Sequence, residues 1–217
     1  MNPLNFVITI RDNPLSVTSA NRCISSAKQF GIDVAYFDAV APSNTNIQQK
    51  MKDEHIPENG FVEKYSRKEN CMAAFLSHYS LWKVAAEKSV EVTIFEHDAV
   101  VVNAIPNIIR YQGCINLGAP SYGRFNVPTT LGVGPLVSKP YFPGAHAYRL
   151  NPAAAKSLIA AAKQIGRPTD VFLNRETFAW LEEYYPWPVE ARDSFTTIQN
   201  QVGCLAKHNY SDKYEII

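Results

Sequence analysis

The alternation of apolar and polar stretches divides the chain into short runs. "LNFVITI", Leu4 to Ile10, is apolar and β-rich and stops at Asp12, Asn13 and Pro14, so it predicts a buried first strand. In "SVTSANRCISSAKQF", Ala20, Cys23, Ile24, Ala27 and Phe30 recur at helical spacing, and Gly31 follows where a helix-ending glycine belongs. "IDVAYFDAV" predicts a second strand, and strand–helix–strand is the pattern of a βαβ unit in a parallel sheet. Ala41 to Tyr65 is polar and irregular, predicting a long loop with a short helix around Ile47 to His55.

The next helix carries Cys71, Ala74, Phe75, His78, Trp82 and Ala85 on one face and ends near Ser89. Ser66 and Glu69 have the spacing of a capping box at its start. "VEVTIF" predicts the third strand, "NIIRYQ" (Asn107 to Gln112) a helix and "CINLG" a short strand. From Ala119 to Pro143 the chain is rich in Gly, Pro, Ser and Thr and predicts a covering loop with little regular structure. "AHAYRL" reads as a strand, and "NPAAAKSLIAAAKQI" as a helix capped by Asn151 with Pro152 in its first turn. A further helix capped by Thr169 is expected through "DVFLNRETFAWLEEY". The fold class is therefore α/β: one domain over residues 1–217, with a mostly parallel central sheet flanked by helices. Its core spans about 4–200 and a polar tail 201–217.

Composition narrows the function. The chain has 217 residues, 46% of them hydrophobic, enough for a sizeable core. A formal net charge of +1 with no basic stripe gives no footprint of a nucleic-acid binder. Cys23, Cys71, Cys114 and Cys204 form no C-x-x-C pair, which fits reduced thiols in the cytoplasm better than a zinc site or disulfide framework. No signal peptide is read at the N-terminus, and no apolar run approaches the ~20 residues of a membrane span.

The run "VTIFEHDAVVV" holds the candidate chemistry. Charges in a core run are costly unless paired or bound to a cation. In open α/β sheets ligands bind beyond the carboxyl ends of the strands, so "VTIF" is core and Glu96 and Asp98 emerge into a crevice. Two carboxylates one residue apart can reach a single hard cation such as Mg²⁺ or Mn²⁺. A turn-capping acid is the plain alternative for Asp98, and a solvated strand-end charge for Glu96. His97 alternates away from its neighbours and suits a surface or core role.

Glu96-His97-Asp98-Ala99-Val100 resembles the E-D-D-A-hydrophobic motif of glycosyltransferase family 25, which includes lipooligosaccharide galactosyltransferases and collagen galactosyltransferase domains. Other segments agree in order. "FDAV" (37–40) is similar to the segment after the family's second strand, and "FLSHYSLW" (75–82) to its Ser-His helix. "PGAHAYRLNPAAAKSLI" (143–159) resembles its G-x-H-A-Y strand and following helix, "RPTDVFL" (167–173) its P-x-D motif and "SFTTI" (194–198) its closing element. The resemblance runs from Phe6 to about Ile198. His97 stands where the family usually has aspartate, Cys71 where it often has glutamate, and Ala73-Ala74 replace a Gly-Cys pair. "RDNP" replaces its arginine-rich turn.

The resemblance implies a single GT-A-like (Rossmann-like) domain and an inverting, metal-dependent hexosyltransferase. It would move galactose or glucose from a UDP-sugar to a hydroxyl of a glycan or other acceptor, with peripheral membrane contact compatible and lipopolysaccharide biosynthesis as setting. The implied roles are Asp98 and Glu96 for the metal (Mn or Mg) and Glu96, Arg11 and His78 for the nucleotide sugar. Asp170 and His146 would be the catalytic groups, with Asp170 the candidate base. Read without the family, His78 is a hydrogen-bonded core histidine and Asp170 satisfies a helix dipole; His146 is a metal ligand, a diphosphate contact or a buried imidazole, and the close backbone approach that Gly144 suggests favours a role in the site. Ser77 is expected to bond back to its helix, and Tyr148 and Trp82 to be core. The alternative function is a non-catalytic nucleotide-sugar or glycan-binding module of the same fold.

Overall fold

The computed structural model describes residues 2–64, 66–106, 110–192 and 195–200, and the backbone of 215–216. The elements in order are β1 (Leu4–Thr9), α1 (Pro14–Gln29), β2 (Ala35–Asp38), α2 (Ile47–Asp53), α3 (Lys68–Lys88), β3 (Val92–Glu96), β4 (Ala99–Val101) and β5 (Cys114–Asn116). There follow β6 (Gly132–Pro135), β7 (Ala147–Leu150), α4 (Pro152–Ala162), α5 (Thr169–Phe172), β8 (Leu181–Tyr185), β9 (Val189–Ala191), β10 (Phe195–Thr196) and β11 (Glu215–Ile216).

Seven strands form one sheet in the order β2-β1-β3-β7-β5-β8-β6. β1, β2, β3, β5 and β8 run one way, while β7 and β6 run the other. The sheet is thus mostly parallel in direction, and β7, inserted at its centre, makes it mixed. β1 is paired on both sides, to β2 and β3, which is why its sequence is a nearly unbroken apolar run.

Side chains alternate across the sheet. Val92 and Ile94 of β3, Tyr148 and Leu150 of β7 and Ile8 of β1 face α3 and α4, together with Met51, Phe75, Trp82, Leu158 and Phe172. Val7, Phe95, Ala147 and Ile115 face the other way, where α1 supplies Ala20, Cys23 and Ala27, and β4 supplies Ala99 and Val101. α1 approaches closely because its buried side chains are small. On the α3 side, aromatic rings do the filling: Phe75 meets Trp82, Phe172 and Phe61 edge-on with centroids 5.5, 5.2 and 5.7 Å apart. Such pairs add about 0.5–1.5 kcal/mol each beyond their burial.

The capping signals of α1 and α4 hold. Asn13 accepts from the N–H groups of Leu15 and Ser16, Asn151 accepts from that of Ala154, and Gly31 at φ 71° receives the chain leaving α1. The capping box expected at Ser66 does not form. α3 begins one residue later, after Arg67, with no side-chain cap, because Ser66 bridges to Gln199. The N–H of Arg67 donates to the Ile198 carbonyl at 2.7 Å, and Asn70 donates to that of Thr197. The start of α3 is thereby fixed by the segment after β10.

Two further expectations are corrected. The helix expected from Thr169 through Tyr184 is one turn, α5, preceded by Pro168 rather than capped by Thr169. Asn174 ends it: its side chain donates to the Val171 and Phe172 carbonyls and accepts from the N–H of Thr177. The chain beyond becomes β8, inserted between β5 and β6, where β-branched or aromatic shape and pairing outweigh helical spacing. Within the covering segment 119–143, β6 is a regular strand antiparallel to β8. Buried Glu183 fixes that return leg, accepting from the N–H groups of Val137 and Ser138 at 2.7 and 2.8 Å and from the Trp187 indole at 3.1 Å. The helix expected over Asn107 to Gln112 rests on 107–109, and the expected loose tail on 201–214, both outside the described residues. Among the described residues no helix is long and apolar enough to cross a membrane.

Candidate active site

The carboxyl ends of β1, β2 and β3 lie on one edge of the sheet, and the antiparallel β7 begins there, Phe95 pairing with Ala147. This edge gathers Arg11, Asp38, Glu96 and Asp98. Glu96 shares the face of Ile94 and Val92 and turns toward α3, while His97 turns toward α1. That alternation separates the residues of "EHD". His97 meets the Ser16 hydroxyl through Nδ1 at 3.2 Å and stacks on Phe195, centroids 5.3 Å apart. The expectation that it stands apart from the acids is met.

Glu96 is held by a buried chain. Its Oε1 lies 3.0 Å from His78 Nε2, His78 Nδ1 lies 2.9 Å from the Tyr148 hydroxyl, and the Trp82 indole N–H donates to that hydroxyl at 2.9 Å. His78 is 1% exposed, and burial lowers its pKa from 6.5 to about 3 although Asp170 nearby pulls it up. It is therefore a neutral imidazole, and its contact with Glu96 is a hydrogen bond rather than an ion pair. Glu96 itself is half-buried. Its carboxyl is pushed well above the usual range by desolvation first, then by Asp98 and Asp170, with His97 opposing. Ser77, the neighbour of His78, donates to Ala73 O at 3.0 Å, the expected bond to its own helix. It also accepts from the N–H of Val40, which ties the end of "FDAV" to α3.

Asp98 is half-buried in the turn between β3 and β4, and its carbonyl accepts from the N–H of Arg192. Asp170 lies in the first turn of α5. Its Oδ2 accepts from the Tyr122 hydroxyl at 2.5 Å and its Oδ1 from the N–H of Val171. Burial raises its pKa, opposed by those hydrogen bonds and by His78. The mutual influence of Glu96, Asp98, His78 and Asp170 puts these four expected site residues in one electrostatic neighbourhood. Tyr122 joins them from the covering segment; no spacing in the sequence singled it out.

The other two expected residues are placed differently. His146 is 2% exposed, beneath the edge rather than on it. Its carbonyl accepts from the N–H of Glu96 at 2.9 Å, and its ring packs on Gly118, where a Cβ would come within 2.4 Å of Nε2. Burial lowers its pKa, with Asp98 opposing. Arg11 is exposed at the end of β1, 3.2 Å from Asp38 and stacked over Tyr36 at 4.4 Å. It is on the same edge as Glu96 but engaged with β2. Among the described residues no three His, Cys, Asp or Glu side chains converge as a ready-made metal cage.

The family model of glycosyltransferase family 25 (LPS biosynthesis protein) matches residues 14–114. No curated protein matches the chain. A solved structure with a matching chain is that of CTP:phosphocholine cytidylyltransferase from Streptococcus pneumoniae (LicC), at 10% identity and a TM-score of 0.38, covering 88% of this chain and 94% of that one.

Proposed function

We propose that this chain, whose residues 14–114 match the family model of glycosyltransferase family 25, is a glycosyltransferase that moves a hexose from a UDP-sugar to an acceptor hydroxyl with inversion, using a divalent cation held by Asp98 and Glu96. One observation carries the reading: two carboxylates leave the carboxyl edge of the sheet together, one of them braced from below by a buried histidine. Their chemistry fits a hard cation. Both are oxygen donors, and the desolvation and the repulsion from Asp98 that together raise the Glu96 carboxyl are offset by positive charge. Two protein carboxylates suffice where diphosphate oxygens complete the coordination. A bound cation would neutralise the charge developing on the departing diphosphate.

The residues of this chain divide the remaining work. Asp170 accepts the acceptor's proton at Oδ2, the oxygen now bonded to Tyr122; its raised pKa, caused by burial, suits a general base. Arg11 offers an exposed guanidinium toward the nucleotide once it exchanges Asp38 for the ligand. His146 supports the edge through its carbonyl and its packing on Gly118. The covering segment 119–143 limits water at the anomeric centre. That the His97 ring is engaged by Phe195 and Ser16 supports an active enzyme over a binding module, because the departure from the family's aspartate leaves the bond between His78 and Glu96 in place.

The test measures UDP release from UDP-galactose and UDP-glucose with Mn²⁺, in the wild-type protein and Asp98→Ala. Wild-type turnover that the variant lacks is the expected result. Equal background rates in both proteins with both donors would end the proposal.

A further inference from the structure

We infer that Tyr148 is a positioning residue for the site: it fixes the tautomer of His78 so that the imidazole Nε2–H is aimed at Glu96. The inference rests on the reading of Glu96 as part of the donor site, but the hydrogen-bond logic begins elsewhere, at Trp82. An indole N–H only donates, so the Tyr148 oxygen accepts from it at 2.9 Å. The phenolic proton then needs an acceptor of its own, in a place where Tyr148 is wholly buried. His78 Nδ1, 2.9 Å away, is the acceptor in reach, and it can accept only if it carries no proton. The ring proton of the neutral imidazole is then on Nε2, which donates to Glu96 Oε1 at 3.0 Å. Any arrangement with a proton on Nδ1 gives the Tyr148 oxygen two donors and strands its own proton in the core.

The fold makes this chain rigid. Trp82 and His78 are one turn apart on α3, and Tyr148 pairs with Ile94 on the strand beside β3, two residues before Glu96. Tyr148 stacks nearly parallel to His78, with planes 18° apart and centroids at 5.7 Å, and leans on Phe142 at 5.9 Å. Three elements thus lock one imidazole orientation, and the carboxylate that emerges at the edge takes its direction from it. Outer groups that orient site carboxylates and imidazoles in this way typically change affinity or activity about 10- to 100-fold when removed.

The experiment uses the whole protein labelled with ¹⁵N-histidine and free of metal. Long-range proton–nitrogen correlation distinguishes a protonated from a bare ring nitrogen, and His78→Gln assigns the His78 signals among the five histidines of the chain. The expected wild-type result is Nε2 protonated and Nδ1 bare. Tyr148→Phe keeps the ring and removes the hydroxyl; it should shift the Nδ1 resonance, which loses its hydrogen bond, free the ring to exchange tautomers, and weaken Mn²⁺–UDP binding about 10- to 100-fold. A wild-type His78 carrying its proton on Nδ1 overturns the inference whether or not the variant folds. A Tyr148→Phe protein that keeps the wild-type tautomer and affinity overturns it as well. Wild-type protein with the expected tautomer but no Mn²⁺–UDP binding overturns the donor-site reading and leaves the tautomer assignment standing.

Discussion

Replacing His78 with glutamine turns the buried imidazole into a measurable dependence of stability on pH. In the folded protein its pKa is lowered to about 3 by burial, against an ordinary value of 6.5. As pH falls below 6.5 the unfolded chain takes up a proton at this position, while the folded chain does not until about pH 3. The unfolded state therefore binds more protons across that window, and folded stability falls with it. At 1.36 kcal/mol per pH unit the window is worth about 5 kcal/mol at most, of which about 3 kcal/mol is lost by pH 4. Because the side chain is 1% exposed, solvent screening does not reduce this figure much. Glu96 and Asp170 act in the opposite direction: their raised carboxyls hold protons in the folded state that the unfolded chain releases, so they favour folding on acidification down to the ordinary carboxylate range. The informative quantity is thus the difference between two proteins, measured by urea unfolding at pH 7, 5.5 and 4. At pH 7 His78→Gln should be less stable by about 1–3 kcal/mol, having broken the bonds to Tyr148 and Glu96. The gap should narrow by about 3 kcal/mol on going to pH 4, a resolvable change in a total of about 5–15 kcal/mol. Two stability curves that run parallel across this range would refute the picture of a buried, neutral His78.

Other outcomes follow from the same geometry. His97→Asp should leave Mn²⁺ affinity, measured by calorimetry, within about threefold, because the His97 ring bonds to Ser16 and stacks on Phe195 and reaches Glu96 only through its charge; a large gain would show that this position faces the cation. Gly118→Ala should cost about 1–3 kcal/mol in chemical denaturation, since the new methyl would overlap the His146 ring. Trp82→Ala should cost about 3–5 kcal/mol, through loss of its packing on Phe75 and Phe172 and of the bond to Tyr148. In a Cys204→Ser background, native protein should resist iodoacetamide at pH 8. Burial pushes the Cys23 thiol up to about 12 and Cys71 up to about 11, and raises Cys114 well above the ordinary range. Rapid labelling, read by mass spectrometry, would contradict that burial.

The sequence carried the elements whose signals are local and left out those decided by distant partners. The apolar run of β1 and the Asn13 and Asn151 caps are each written in neighbouring residues and appear as expected, while α3 buries more than the one face its spacing marks, adding Met72, Leu76, Tyr79 and Leu81 and leaving Ala74 half-buried. The stretch 170–184 has apolar residues at mixed spacing, and only the open edges of β5 and β6 decide that its end is a strand. Ser66 and Glu69 have capping spacing, but a bridge to Gln199, 133 positions on, takes the place of a cap. At the site, strand-end position located Glu96 and Asp98, and alternation within "EHD" set His97 apart. Tyr122 and the Trp82–Tyr148–His78 chain were not legible as a network, because their hydrogen bonds join positions 48, 66 and 70 residues apart. His146 was placed near the right edge, but its depth depends on Gly118, a residue that only matters once β5 and β7 are adjacent.

The buried Glu183 has an effect beyond holding two amides. It fixes the return leg of the covering segment at Val137 and Ser138, while Tyr122 fixes the outgoing leg at Asp170. Between these two anchors, residues 123–131 are exposed except for Pro128 and supply no strand to the sheet. They form a replaceable cassette: insertions or exchanges there can reshape what approaches the edge without breaking a strand pairing beneath it. A lineage of such proteins could alter what reaches this edge by rewriting eight surface positions, while the acids, the histidine and the sheet that carries them stay as they are.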